Sequence, residues 1–285
     1  MKSTNVHAYA KVNWTLNILA TREDGYHLMD MIMQRLELHD DIVLVSRKDG
    51  QITLEIDGLM LENGESNLCI RAAKAVQTYA KVARGANIQL TKRIPMGAGL
   101  GGGSADAAAV IDGLCDLWGL SLSLEEKCAI GLKLGADVPY CLHGIPARVT
   151  GIGEHVHEIP MKRTFPMVLL QPCEALSTKE AFRHFDATPQ PVLADTEQAL
   201  AAFQSGKVQD IARHCRNVMQ SASQLLRPEM NEAIRRIQGT GAFLSQMTGS
   251  GSVVFGAYAN DAEADHAYEL LKEHYPVCIR TETLL

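Results

Sequence analysis

Pro95-Met96-Gly97-Ala98-Gly99-Leu100-Gly101-Gly102-Gly103-Ser104 is the stretch that decides how this chain is read. Five of the seven residues from Gly97 to Gly103 are glycine, so the backbone lacks the Cβ atoms that hold a ligand away. A pattern rich in Ala and Leu follows at once, Ala105 to Trp118, and reads as a helix. A helix start presents unpaired N–H groups and the positive end of its dipole. Flexible backbone leading into such a start suits an anionic phosphate. Ser104 can cap that helix or offer its hydroxyl to a phosphate oxygen, and Asp106 reads as a first-turn acid that complements the dipole.

Two familiar phosphate loops fit poorly. Gly97, Gly99 and Gly102 satisfy G-x-G-x-x-G, but the preceding segment, Asn87 to Ile94, alternates apolar with polar and carries Lys92 and Arg93. A central parallel strand of a dinucleotide-binding fold is nearly all apolar. No G-x-x-x-x-G-K-[ST] occurs, so this is not a Walker loop.

Upstream, Val6, Ala8, Ala10, Val12, Trp14, Leu16 and Ile18 alternate with His7, Tyr9, Lys11, Asn13, Thr15 and Asn17. Period-two alternation predicts a strand with one buried and one polar face, Lys11 and Asn13 sharing the polar one. Asp41–Ser46 and Gln51–Ile56 read as two strands, and Asp49-Gly50 between them favours a hairpin. Ser66 reads as the N-cap of a helix from Asn67 to about Lys81, and Ser123-Leu124-Glu125-Glu126 as a capping box.

Downstream, Pro160 to Pro166 marks a shift in composition, which predicts two domains, residues 1–160 and 161–285, both α+β in element order. The second half reads as a short strand at Met167–Leu170 and helices between Thr178 and Gln238. A strand pair follows around Thr248–Gly251, then a helix from Ala262 to His274 and a last strand from Val277.

The chain has 285 residues with 27 Lys+Arg against 33 Asp+Glu, a net charge of -6. A mildly acidic surface disfavours nucleic acid and anionic membranes as main partners. No apolar run approaches the roughly 20 residues of a membrane span, and no secretory leader is evident. Seven scattered cysteines without C-x-x-C spacing read as reduced thiols, so the expected location is cytoplasmic. Cys141, His143, His155 and His157 have no paired-ligand spacing that would suggest zinc.

Further motifs narrow the reading. Gly135-Ala136-Asp137-Val138-Pro139 puts a carboxylate at a helix end beside a proline turn, and Met247-Thr248-Gly249-Ser250-Gly251-Ser252 is a second small-residue loop. With Ala10-Lys11-Val12-Asn13 and the glycine loop, these occur in one order along nearly the whole chain. In that order they resemble the GHMP kinases. The resemblance implies a two-domain α+β fold with its active site in the cleft between domains, and transfer of a phosphoryl group from ATP to an alcohol.

By the same resemblance, Lys11 and Asp137 are the catalytic pair. The carboxylate accepts the alcohol's proton, and the lysine neutralises charge on the transferring group. Pro95 to Ala105 (Pro95, Met96, Gly97, Ala98, Gly99, Leu100, Gly101, Gly102, Gly103, Ser104, Ala105) would cradle ATP, with Asn67 near the adenine and Lys92 near the nucleotide. Asn67 reads equally as a helix cap. Thr248, Gly249, Ser250 and Gly251 would support the phosphate loop.

Asp24-Gly25-Tyr26-His27 points to a branch of the family whose substrate is a cytidine-diphosphate-linked polyol. Tyr26 and His27 would hold the cytosine, Phe182 would add a second aromatic, and Asn13 would touch the substrate. Gly103 stands where some relatives carry a Ser that helps hold Mg²⁺; the ion is then expected with the ATP phosphates and water, with no protein ligand. The competing readings are a homoserine- or mevalonate-type kinase, a non-catalytic ATP-binding module and a dinucleotide-dependent oxidoreductase.

Overall fold

The computed structural model describes residues 2–57, 59–60, 64–189 and 191–285. In chain order, two long strands come first, β1 (Ser3–Thr21) and β2 (His27–Arg47). Then follow β3 (Ile52–Ile56), β4 (Leu59–Met60), α1 (Leu68–Tyr79), β5 (Gly85–Thr91) and α2 (Gly102–Trp118). Next are α3 (Leu124–Leu132), α4 (Val138–His143), β6 (Ala147–Gly151), β7 (His155–Glu158) and β8 (Pro166–Gln171). Five helices lie beyond: α5 (Thr178–Asp186), α6 (Thr196–Ser205), α7 (Val208–His214), α8 (Gln220–Leu226) and α9 (Glu229–Gly239). The chain ends with β9 (Leu244–Met247), β10 (Val254–Ala257), α10 (Asp261–Leu271) and β11 (Val277–Glu282).

Packing divides the chain into two compact units, and not by a single cut after residue 160. The first holds Met1–Ala10, Leu38–Ile94 and Gly101–Gly144; the second holds Lys11–Glu37, Pro95–Leu100 and Ile145–Leu285. The physical reason is strand length. At 19 and 21 residues, β1 and β2 are far longer than the usual five or six or so, and each contributes one portion to either unit.

In the first unit the strand order is β4-β3-β5-β2. Four helices accompany it, α1 packing on α2, and α2 and α3 on α4. The core comes from alternate residues of the strands (Ile42, Leu44, Ile88, Leu90) and the apolar stripes of the helices (Val76, Val110, Ile111, Leu114). In the second unit, residues 29–33 of β2 pair with β6, and β6 with β7. A separate antiparallel sheet runs β11-β8-β10-β9. Trp14 sits fully buried within about van der Waals reach of four phenylalanines, at ring-centre separations of 5.4 Å to Phe165, 5.1 Å to Phe203, 5.9 Å to Phe255 and 6.5 Å to Phe243.

Several expectations are corrected here. The Asp49-Gly50 turn does not make a hairpin, because β5 lies between β2 and β3, antiparallel to one and parallel to the other. Asp49 instead binds Arg47 through its carboxylate. Helix α2 begins at Gly102 with Gly101 as a left-handed N-cap. Ser104 is therefore inside the helix and not its cap, and Asp106 lies beyond the first turn. For α1 the cap is Asn67, whose Oδ1 accepts Cys69 N at 2.8 Å, not Ser66. The Ser123–Glu126 capping box is present in both directions. All seven cysteines are free thiols, and among the described residues no helix is long and apolar enough to cross a membrane.

Candidate active site

The polar face of β1 is not a solvent face. Lys11, Asn13, Thr15 and Asn17 are all nearly fully buried, and a buried polar group must be partnered. Lys11 Nζ donates to Asn13 Oδ1 and to the carbonyl of Gly99, both at 2.9 Å. Asn13 Oδ1 also accepts Gly249 N at 3.1 Å, while Asn13 N donates to Thr248 Oγ1 at 3.0 Å. The Asn13 amide nitrogen points to Met31 Sδ at 3.3 Å. Asn13 thus sits behind Lys11 as a support. Thr15 Oγ1 accepts Ile32 N at 2.8 Å, and Asn17 bonds both backbone groups of Ala194.

Two loops 149 residues apart meet at Gly99, where Thr248 Oγ1 lies 3.4 Å from the Gly99 carbonyl. The approach is so close that a Cβ on Gly99 would fall 2.2 Å from Thr248 O, and one on Gly249 would fall 2.8 Å from Gly99 O. Both residues also hold positive φ, +77° and +56°, which L side chains rarely adopt. Val253 N donates to Ala98 O at 3.2 Å, extending the contact. The downstream loop is braced in turn by Asn217 Nδ2, which donates to the carbonyls of Met247 and Gly249 at 3.0 and 2.8 Å. Ser250 meets Thr178 Oγ1 at 3.1 Å. The structure therefore brings Lys11, Asn13, Gly99, Thr248 and Gly249 into one hydrogen-bonded group.

Lys92, expected near the nucleotide, is held by two carboxylates. Its Nζ donates to Asp40 Oδ2 at 2.5 Å and Asp106 Oδ2 at 2.8 Å. Asp40 Oδ1 accepts Arg93 N and Ile94 N at 2.5 and 2.8 Å. Asp40 and Lys92 hold the end of the segment before the glycine loop, and Asp106 anchors the helix after it. Burial would lower the Lys92 pKa, yet Asp106 and Asp40 hold it above the ordinary value. Burial likewise pushes the Asp106 carboxyl up to about 7, against the downward pull of Lys92. Asp106 Oδ1 is buried without a partner among the described residues, and a proton on the carboxyl relieves that cost.

Asp137 is the N-cap residue of α4, with Pro139 two positions on, and its side chain makes no capping bond to that helix. Tyr26 closes the turn between β1 and β2: its carbonyl accepts Arg22 N at 2.7 Å, and its side chain is more than half exposed. His27 stacks on Phe182 with ring centres 4.6 Å apart and planes 29° from parallel. Its Nε2 lies 2.8 Å from Asp186 Oδ1. Phe182 and Asp186 are one helical turn apart on α5, which sets both against one imidazole.

Asp40, Asp186 and Asn217 went unnoticed in the sequence. Only the i,i+4 spacing of Phe182 and Asp186 could have drawn attention, and only after His27 was known to face them.

Residues 67–145 match the N-terminal domain of the GHMP kinases and residues 199–277 their C-terminal domain. The chain belongs to the GHMP kinases. It is accordingly a small-molecule kinase, an ATP-dependent phosphotransferase. The 4-diphosphocytidyl-2-C-methyl-D-erythritol kinase of Alkaliphilus metalliredigens is 38% identical over 275 residues, 96% of this chain and 94% of that protein. A crystal structure of 4-(cytidine 5'-diphospho)-2C-methyl-D-erythritol kinase superposes with a TM-score of 0.82 at 30% identity, covering 98% and 99% of the two chains. Homoserine kinase from Cytophaga hutchinsonii shares the fold, with a TM-score of 0.80 at 17% identity over 100% and 96%. The α+β fold of this kinase family is thus the fold of this chain.

Proposed function

We propose that this kinase transfers the γ-phosphoryl group of ATP to the 2-hydroxyl of 4-diphosphocytidyl-2-C-methyl-D-erythritol, a step in a non-mevalonate route to isoprenoid precursors. The observation that carries the substrate choice is the ring pair of His27 and Phe182 beside the exposed Tyr26. Aromatic faces are stacking platforms for a nucleobase, and an imidazole reads its polar edge. Small alcohols such as homoserine or mevalonate offer nothing for such a platform to stack on. Full-length relatives named for the cytidyl substrate support the same choice.

In this reading the backbone N–H groups of the glycine loop and the start of α2 cradle the ATP phosphates. Asp137 takes the proton from the attacking hydroxyl, and Lys11 opposes the charge that accumulates on the transferring group. Asn13 holds Lys11 in place and contributes to the substrate side through it. Asn67 caps α1 beside the adenine, while Lys92 serves the nucleotide indirectly, by fixing the two ends of the loop. The loop carries no carboxylate, so Mg²⁺ belongs to the nucleotide as MgATP, keeping several of its waters.

The test is ADP release from MgATP with the cytidyl compound, mevalonate and homoserine supplied separately. Turnover confined to the cytidyl compound is expected; turnover confined to a smaller alcohol would discard the cytosine platform while leaving the kinase intact. Asp137→Asn is expected to lower turnover by at least ~100-fold with ATP affinity little changed, and undiminished turnover would remove Asp137 from the reaction.

A further inference from the structure

The first unit carries a second constellation, outside the residues assigned to phosphoryl transfer. His7 on β1 and His39 and Asp41 on β2 each present one ligand atom, and the three atoms lie within 4.8 Å of one another. His7 Nδ1 is 2.8 Å from Asp41 Oδ1, and His39 Nε2 is 3.4 Å from the same oxygen. Around an ion with ligand bonds near 2.0–2.1 Å, neighbouring donors stand about 2.9–3.4 Å apart. The carboxylate oxygen therefore already sits at a coordination-edge distance from both imidazoles.

The backbone explains how three such residues meet. Strands β1 and β2 are paired, and alternation puts His39 and Asp41 on one face of β2 while Asp40, fully buried, points to the other. Asp40 is thus spent on Lys92 and the backbone of Arg93 and Ile94, and its two neighbours are left facing His7. Arg93 adds a further constraint: its guanidinium lies 2.5 Å from Asp41 Oδ2. That contact ties one carboxylate oxygen and leaves Oδ1 directed between the rings. The two imidazoles themselves are packed edge to face, 4.5 Å between centres, with Tyr9 at 5.3 Å from His39. Solvent reaches the group, for half of the His7 side chain is exposed.

We infer that His7 Nδ1, His39 Nε2 and Asp41 Oδ1 form a binding site for a first-row divalent transition cation such as Zn²⁺, with water completing its coordination. Two imidazoles and one carboxylate suit zinc, cobalt or nickel, whereas magnesium prefers an all-oxygen shell. Binding replaces whatever proton His7 Nδ1 shares with Asp41 by the metal and releases it to solvent. The Arg93 charge opposes the incoming cation, so affinity rises when that charge is removed.

The experiment is calorimetric titration of chelator-stripped, nucleotide-free protein with Zn²⁺ at pH 7.5, repeated with Mg²⁺. Cobalt absorption reports the ligand set. One saturable Zn²⁺ site per chain is expected, weakened at least ~10-fold in His7→Ala and in His39→Ala, strengthened in Arg93→Gln, and unmatched by Mg²⁺. Retained turnover of His7→Ala with MgATP certifies its fold. Absence of a saturable zinc site, or one equally strong in both histidine variants, would overturn the assignment.

Discussion

Two lysines near the glycine loop sit among different partners. Lys92, in the first unit, is gripped by two carboxylates, those of Asp40 and Asp106. Lys11, in the second, donates to an amide oxygen and a backbone carbonyl. Carboxylates cancel an ammonium's charge as they bind it, and Lys92 is held that way inside the fold. The Lys92 arrangement suits a fastener that joins the end of β2, the segment before the glycine loop and α2. The Lys92 group also bears on pH, because it contains a carboxyl raised to about 7.

The comparison breaks most readily at Lys92. Lys92→Met leaves Asp40 and Asp106 buried without their cation, and loss of one partner of a buried pair costs about 3–5 kcal/mol. Urea unfolding should show that loss, while kcat of the remaining folded protein changes little and KM for ATP rises as the ends of the loop loosen; a stable but inactive variant would make Lys92 a participant in the chemistry. Lys11→Met should behave conversely. Turnover falls at least ~100-fold, as on removing a charge that stabilises a transition state, with a smaller loss of unfolding free energy.

A weaker effect is expected at the cytosine platform. Tyr26→Ala removes one stacking face, and base stacking contributes about 1–3 kcal/mol. KM for the cytidyl substrate should rise roughly ten-fold with KM for ATP unchanged, and a change confined to ATP would relocate the platform. A further effect, one of pH, concerns Asp106. Its folded carboxyl titrates near 7 against about 3.9 when unfolded. Between these values the folded state holds more protons than the unfolded one, so stability falls as pH rises across that window. Urea midpoints at pH 5 and 8 should differ in that direction, and Asp106→Asn should flatten the difference.

Much of the framework was legible in the sequence because its signals are local. Alternation marked β1, the Ser123–Glu126 box marked α3, and the glycine run ending in an Ala-rich stretch marked α2. What escaped was non-local. Nothing between Asp49 and Gln51 announces that β5, more than thirty residues on, will separate β2 from β3. The polar half of β1 reads as a wet face because its partners, Thr248, Gly249 and Ala194 among them, lie far downstream. Within the candidate site, Lys11 and Asn13 could be placed on one face by counting, whereas the bracing of that face by a loop from the last fifth of the chain could not. Asp106 was misread for a related reason: its position after the glycines suggests a helix start, and only the structure shows the helix beginning at Gly102.

The meeting of Gly99 with Thr248 also has a bearing on how the protein comes into being. A chain emerging from the ribosome exposes the glycine loop long before residues 244–253 exist, and closing a contact across 149 positions is among the slower events of folding. The loop acquires its working shape only when the far segment arrives to press against it. A nascent chain that stops short of Thr248 thus leaves the Gly99 carbonyl and the Asn13 amide oxygen without the segment that braces them.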